Sequence, residues 1–552
     1  MKKTKEQLGI TLVALVITII ILLILATISI QSLTNTGLFK RAQEARNATE
    51  NAELEQQTRL NEYENALNGY YKPTKILQAD GSWNSTKKVN SPQLMTGMTG
   101  IYWDAEGNEV EVNADNQDSW YDYSTQKWAN AITKDSDGNT TAYWVWIPRY
   151  AYKIESGRYT STAGKISVKF LQGTSNKDEN NSEISQNYPE TSQNQPDITG
   201  TTMSAYVVHP SFTDGSENGK NNHYMNGEWD KEIAGYWVAK YAAGFQECTQ
   251  TVESNGSIKE PTINTANVKY SDKNYTSCSY NDTFTTNALS QDLSSSDYAR
   301  QKLSYPVFKS LTYAYNIIST GDTYTISQEI AKAKNFYGLD STRTDSHLMK
   351  NSEWGAVAYL TQSSYGINGV EMAVNKKNLD NLNSKYICAV TGYAEEIANG
   401  VQASSTHNKS GIFDLSGCVW ECVSLYVSNG SENLKNFGSS FTNSIADENG
   451  YKTKSTKYVT VYPYDSTDTG NAYGNLKSTT YGFGDAILET STRANNTNSW
   501  NNEYSNYMVG DAPFLNRGGS YAMAGSGRGV FAFYNKIALH CNDGFRSVLI
   551  SK

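Results

Sequence analysis

Glu353 and Glu421 each stand beside a tryptophan, in Glu353-Trp354 and in Trp420-Glu421. Two carboxylates brought into one site could share general acid and base duties. The competing reading is that each is buried in a loop-rich fold and holds backbone amides or an arginine, since a buried carboxylate requires a partner. We expect the second. The five histidines, His209, His223, His347, His407 and His540, share no metal-ligand spacing, and the six cysteines, Cys248, Cys278, Cys388, Cys418, Cys422 and Cys541, include no CxxC pair. Zinc sites need closer spacings than these, so the thiols are expected to be buried and free, with one incidental disulfide as the alternative. The chain also lacks a GxSxG elbow and a GxxxxGK[ST] phosphate loop. Gly525-Ser526-Gly527-Arg528-Gly529 is expected to be a loop.

The richer chemistry lies near the C-terminus. Framework-like residues such as Gly529, Val530 and Phe531 alternate there with a mixed set: Tyr521, Met523, Arg528, Tyr534, Lys536, Leu539, His540 and Asn542. Tyrosine, arginine and histidine in such a setting are adaptable contact residues, as in a binding loop. The plainer alternative is that they are ordinary strand and loop residues of a fixed head.

The elements that must position these residues are short. The chain has 552 residues, 38% of them apolar, with 39 tyrosines against 15 phenylalanines. Ile101-Tyr102-Trp103, Ala142 to Ile147, Ala205 to Val208, Gly235 to Ala239 and Gly529 to Phe533 are expected strands, each bounded by turn formers. Helices are expected over Ser304 to Ile318 and Asn351 to Ser364. Segments 172–200, 284–297 and 464–502, rich in Ser, Asn, Thr, Gln and Asp, are expected to be surface insertions. Forty-seven basic and 56 acidic residues give a net charge of −9. With no basic block beyond the N-terminus, nucleic acid is not an expected partner.

The N-terminus sets the expected address. Lys2, Lys3 and Lys5 precede a run, Leu8 to Ile30, that carries no charge, and 15 of the 21 positions from Ile10 to Ile30 are Ile, Leu or Val. At about −0.3 to −0.6 kcal/mol for each central apolar residue, membrane insertion is favoured. A helix over this run would span about 31 Å, close to a hydrocarbon core. An Ala-, Glu- and Gln-rich pattern then continues to Leu67, and Gly69 with Tyr70 to Pro73 supplies a stop. A plain signal anchor and a cleaved signal peptide are the alternatives.

The leader ending at Gly9, followed by Ile10-Thr11-Leu12 and one apolar helix, resembles type IV prepilins. That resemblance implies cutting by a prepilin peptidase between Gly9 and Ile10 and a helix able to pack into a pilin-like filament. The chain departs from the family at Ala14, where pilins usually carry a glutamate that aids assembly, so export and anchoring are the firmer implications.

Four further tracts resemble the formylglycine-generating (sulfatase-modifying) enzymes and their C-type-lectin-like relatives. They are Tyr143 to Pro148 with Ala234 to Tyr241; His347 to Tyr359; Gly411-Ile412-Phe413-Asp414-Leu415-Ser416-Gly417-Cys418-Val419-Trp420-Glu421-Cys422-Val423; and Arg517-Gly518-Gly519-Ser520-Tyr521 with Gly544-Phe545-Arg546. The oxidase members hold their metal with two cysteines placed where this chain has Met523 and Arg528, so the resemblance implies the scaffold without the chemistry. The frame around the mixed residues is also similar to the variable proteins of diversity-generating retroelements, which present a ligand-binding face.

Together these observations lead us to expect an α+β protein: a leader (1–9), a long transmembrane and stalk helix (10–69), a linker (70–91) with one short strand, and a loop-rich C-type-lectin-like head (92–552) with its binding region at 517–549. The expected function is non-catalytic ligand binding at the cell surface or on a pilus, with a protein or glycan as ligand. A structural pilin-like subunit is the alternative, and an envelope enzyme using an unrecognised site a further one. No cofactor is expected, a structural calcium ion being the one addition the sequence leaves open.

Overall fold

The computed structural model describes residues 14–27 with isolated helical positions between 41 and 59, and then 76–186, 201–215, 228–249, 305–315, 318–376, 378–380, 387–393, 400–428, 431–443, 456–462, 483–492, 496–509, 511–521, 527–537 and 543–552, with backbone pairs at 191–192, 195–196, 251–252 and 258–259. The chain divides into two compact units, Met1–Ile76 and Leu77–Lys552.

In the first unit the continuous described helix covers residues 14–27, a length of about 21 Å. A hydrocarbon core is about 30 Å thick. No helix among the described residues is long and apolar enough to cross a membrane, which overturns the expected transmembrane and stalk helix. Gly9 and Ile10 lie outside the described residues.

The second unit is built mainly of β-sheet, which corrects the expected α+β lectin-like head. Sheet A has seven strands in the order Thr344–Leu348, Ser547–Ser551, Gly235–Ala239, Thr140–Pro148, Asn130–Lys134, Met98–Trp103 and Glu109–Glu111, all antiparallel. Sheet B runs Thr460–Tyr462, Trp420–Val427, Phe514–Gly519, Arg528–Lys536, Glu503–Ser505 and Asn496–Ser499, and Asp543–Phe545 pairs in parallel with Trp420–Cys422. A smaller sheet joins Val207–Val208, Tyr150–Ser156 and Lys165–Phe170. The helices Thr320–Glu329, Asn351–Gln362 and Glu432–Asn443 are short by comparison.

The strands form because their β-branched and aromatic side chains suit a pleated surface buried on both faces. Gly235–Ala239 is entirely buried, and Trp237 faces Trp146 across the ladder with ring centroids 5.4 Å apart. Trp120, Trp128, Trp144, Trp229 and Trp354 are also core residues. Their indoles keep a donor satisfied: Trp120 Nε1 donates to Asn130 O at 2.8 Å, and Trp354 Nε1 to Val530 O at 2.8 Å. Helix Asn351–Gln362 is buried throughout. It can press so closely on residues 484–485 only because position 355 is glycine; a Cβ there would lie 1.8 Å from Gly484 O.

The two large sheets meet at Arg546, which separates the last strand of sheet B from the last of sheet A. Its guanidinium is fully buried. Nε and Nη2 donate to the Glu421 carboxylate at 2.9 and 2.6 Å, Nη1 to Ala239 O at 2.7 Å, and Nη2 also to Phe413 O at 2.8 Å. The expected arginine partner of Glu421 is thus present.

Three local expectations change. Residues 305–315 are not helical: Thr312–Ala314 is a strand that pairs with Gly244–Thr249, held by Thr312 Oγ1 and Thr391 Oγ1 at 2.7 Å. The stretch read as a linker carries a hairpin, Trp83–Asn84 with Val89–Asn90, and Asn90 Nδ2 donates to Gly173 O and Ala234 O, so it belongs to the second unit. Part of the expected 464–502 insertion is core, with Asp485, Ala486, Ile487 and Glu489 buried, whereas residues 284–297 lie outside the described residues.

Breaking the inter-sheet pair leaves a buried charge without its partner. Arg546→Met should therefore cost about 3–5 kcal/mol in denaturant unfolding, and Glu421→Leu in the same chain should restore part of that loss. A single variant as stable as the parent would contradict the assignment.

Candidate ligand-binding face

Strand Arg528–Lys536 is the innermost stretch of the candidate binding region, and its register explains what it can show to solvent. It pairs with Phe514–Gly519 on one side and with Glu503–Ser505 on the other. Phe531 and Phe533 point into the core, against Trp500 and Tyr507. Every residue of the strand is buried except Tyr534, which is 38% exposed.

Tyr534 does not stand alone. Its ring centroid lies 5.7 Å from that of Trp420 and 5.9 Å from that of half-buried Tyr504, and Trp420 and Tyr504 are 6.3 Å apart. These tilted and edge-on geometries are the favourable ones for aromatic pairs. Three strands of sheet B, Trp420–Val427, Glu503–Ser505 and Arg528–Lys536, thus bring one aromatic cluster together. Trp420, 5% exposed, forms its base, and Ile537 beyond it is 45% exposed. Burial, Tyr504 and Asp543 push the Tyr534 phenol pKa up, so its hydroxyl remains a neutral donor.

The other expected contact residues are placed differently. Lys536 is buried, with its ammonium 3.2 Å from Asp543 Oδ2 and 2.9 Å from Cys422 Sγ. It braces the sheet and is removed from the set of surface contacts. Asn516 Nδ2 donates to the same Asp543 at 2.9 Å. Tyr521 is half-buried against Cys418 and Val419, its backbone N–H donating to Cys418 O at 2.9 Å. Arg528, 9% exposed, begins the strand opposite Gly519. At that glycine (φ +79°) a Cβ would lie 2.5 Å from Arg528 Cα, which is why the backbone can bulge there. Met523, Leu539, His540 and Asn542 lie outside the described residues. Sequence reasoning missed Tyr504; it follows a polar tract, and its three-residue strand is too short to show an alternating pattern.

The titratable clusters elsewhere are enclosed. Glu353 accepts from Lys350 N at 2.8 Å and lies 3.0 and 3.1 Å from His347 Nε2, so neither glutamate of the suspected pair faces an open site. Burial drives His209 down to about 3; its Nε2 lies 2.8 Å from Gly484 O and its Nδ1 2.9 Å from Ser211 Oγ. Burial also raises Asp485 to about 7, where the Tyr462 hydroxyl donates to it. Cys418 and Cys422 are buried free thiols, and burial raises both pKa values. Among the described residues no group of three or more His, Cys, Asp or Glu could hold a metal ion.

A groove of about 570 Å³ also opens beside Lys88, Asp118, Asp178 and Tyr365. Two of its cations are already paired, Lys88 with Glu179 at 2.7 Å and Lys169 with Asp178 at 3.0 Å. The aromatic cluster is therefore the stronger candidate.

If Tyr534 is an exposed contact and Trp420 its buried base, their truncations should separate. Tyr534→Ala should change stability by about 1 kcal/mol or less. Trp420→Ala should cost about 3–5 kcal/mol. Equal losses in denaturant unfolding would show that both residues serve packing alone.

Compared with protein-family models and with curated proteins, the chain matches none, so its reading rests on the geometry above.

Proposed function

We propose that this chain is a non-catalytic ligand-binding protein of the cell envelope or cell surface, which engages its ligand through Tyr534 and Tyr504 on sheet B, seated on Trp420. The observation that carries this reading is Tyr534, the one exposed residue of its strand, packed with half-buried Tyr504 over the Trp420 indole. Aromatic side chains fixed by a rigid sheet lose little entropy on binding and present both apolar area and a hydroxyl donor. Two further features support it. The catalytic thiolates of the resembled oxidases are replaced by Met523 and Arg528, and the enclosed carboxylates are committed to structural partners.

The envelope address is supported by the N-terminal unit. Leu15, Leu22, Leu23 and Leu25 are each more than half exposed on the described helix. Such a surface seeks apolar surroundings, whether lipid or like segments of a filament.

Screening the detergent-solubilised full chain on glycan and extracellular-protein arrays should yield binders. Tyr534→Ala and Tyr504→Ala should weaken them at least about tenfold, equivalent to about 1.4 kcal/mol. Binding that both variants retain in full would place the site elsewhere. N-terminal sequencing of chain produced alongside a prepilin peptidase should begin at Ile10, and Gly9→Val should abolish that cut; a mature chain beginning at Met1 would contradict the prepilin-like reading.

A further inference from the structure

Among the described residues the second unit contains several buried arginines, and all but one have found partners. Arg149 donates to Ser175 O and Phe212 O and meets Glu232 at 2.7 Å. Arg517 donates to Asn351 Oδ1, Asp485 O and Ala486 O. Arg158 donates to Thr202 O and to the Tyr159 hydroxyl. Arg546 holds Glu421. Arg528 breaks the pattern: it is nine-tenths buried, and where Arg158 and Arg517 leave only Nε without a hydrogen bond, Arg528 leaves both Nε and Nη1 so.

No carboxylate offsets this burial. The nearest strand offers Glu503, but that group sits beneath Gly529 and is occupied by Phe531 N, which donates to it at 2.6 Å. A guanidinium remains charged throughout the accessible pH range, so it cannot escape the cost by losing its proton. An unpaired buried cation is a poor structural device. It is a reasonable one if an oxyanion arrives to complete it, because the planar fork matches carboxylate and phosphate at two points.

We infer that Arg528 receives an oxyanion of the ligand, a carboxylate or a phosphate. This rests on the reading of sheet B as a binding face and adds the ligand's chemistry to it. Arg528 and Tyr534 are six residues apart on one strand, roughly 20 Å along it. A ligand that engages both is therefore extended, with its acidic group at one end and the surface that meets the aromatic cluster at the other.

The test uses the full chain and simple anions. Thermal unfolding is followed in sodium acetate and in sodium phosphate against sodium chloride of equal ionic strength, for the parent, Arg528→Met and Tyr534→Ala. Saturable stabilisation of the parent is expected, with acetate or phosphate the stronger according to the oxyanion preferred. Arg528→Met should lose this response and melt no lower than the parent in chloride, since it removes an unpaired charge. Any general effect of phosphate on stability is common to all three chains and cancels in the comparison. Tyr534→Ala should keep the response, so failure of the aromatic site and failure of the anion site are told apart. An Arg528→Met chain that responds as the parent does, or that melts lower in chloride, overturns the inference.

Discussion

The contact between Arg546 and Glu421 is the constraint on which the second unit depends. Arg546 lies between a strand of sheet B, Asp543–Phe545, and a strand of sheet A, Ser547–Ser551. One guanidinium therefore reaches Glu421 in sheet B, Ala239 in sheet A and the Phe413 carbonyl in the loop between. Inside a medium of low dielectric such a pair is costly to make and more costly to break. Its value lies in geometry: bidentate pairing allows one relation between the two sheets.

That relation determines what the surface can show. With Phe531 and Phe533 seated in the core and Lys536 tied to Asp543, strand Arg528–Lys536 has no freedom to slip, because a shift of one residue would exchange its two faces. Tyr534 is left outward, supported by Tyr504 from the neighbouring strand and by Trp420 from across strand Phe514–Gly519. The proposed binding face is thus preformed by the packing beneath it, which would lower the ordering cost of recognition.

The parts of this arrangement that depend on residue type and local pattern were legible before the structure. The Trp- and Tyr-rich tracts at 142–147 and 235–239 are strands, the pattern read as a helix over 351–364 is one over Asn351–Gln362, and Glu421 has an arginine partner. What depends on long-range pairing was not. Thr312–Ala314 is a strand because Thr391 and Gly244 meet it from far along the chain. Lys536 reads as a surface residue until Cys422 and Asp543 close over it. Residues 485–489 sit inside a tract rich in Ser, Asn and Thr, yet they fill the space beside helix Asn351–Gln362. The apolar N-terminal run suggested a membrane-spanning helix, and no described helix has the length for one.

A rigid frame and a separable, proposed binding face share one stretch of chain. A substitution library across residues 500–549 of the full chain, sorted once for folding with a conformation-specific antibody and once for binding to the array-identified ligand, measures that separation directly. Changes at Tyr504, Arg528 and Tyr534 should lower binding while folding is kept, and changes at Lys536, Phe545 and Arg546 should lower both. If binding and folding fall together at every position, the face is part of the frame and the account is wrong.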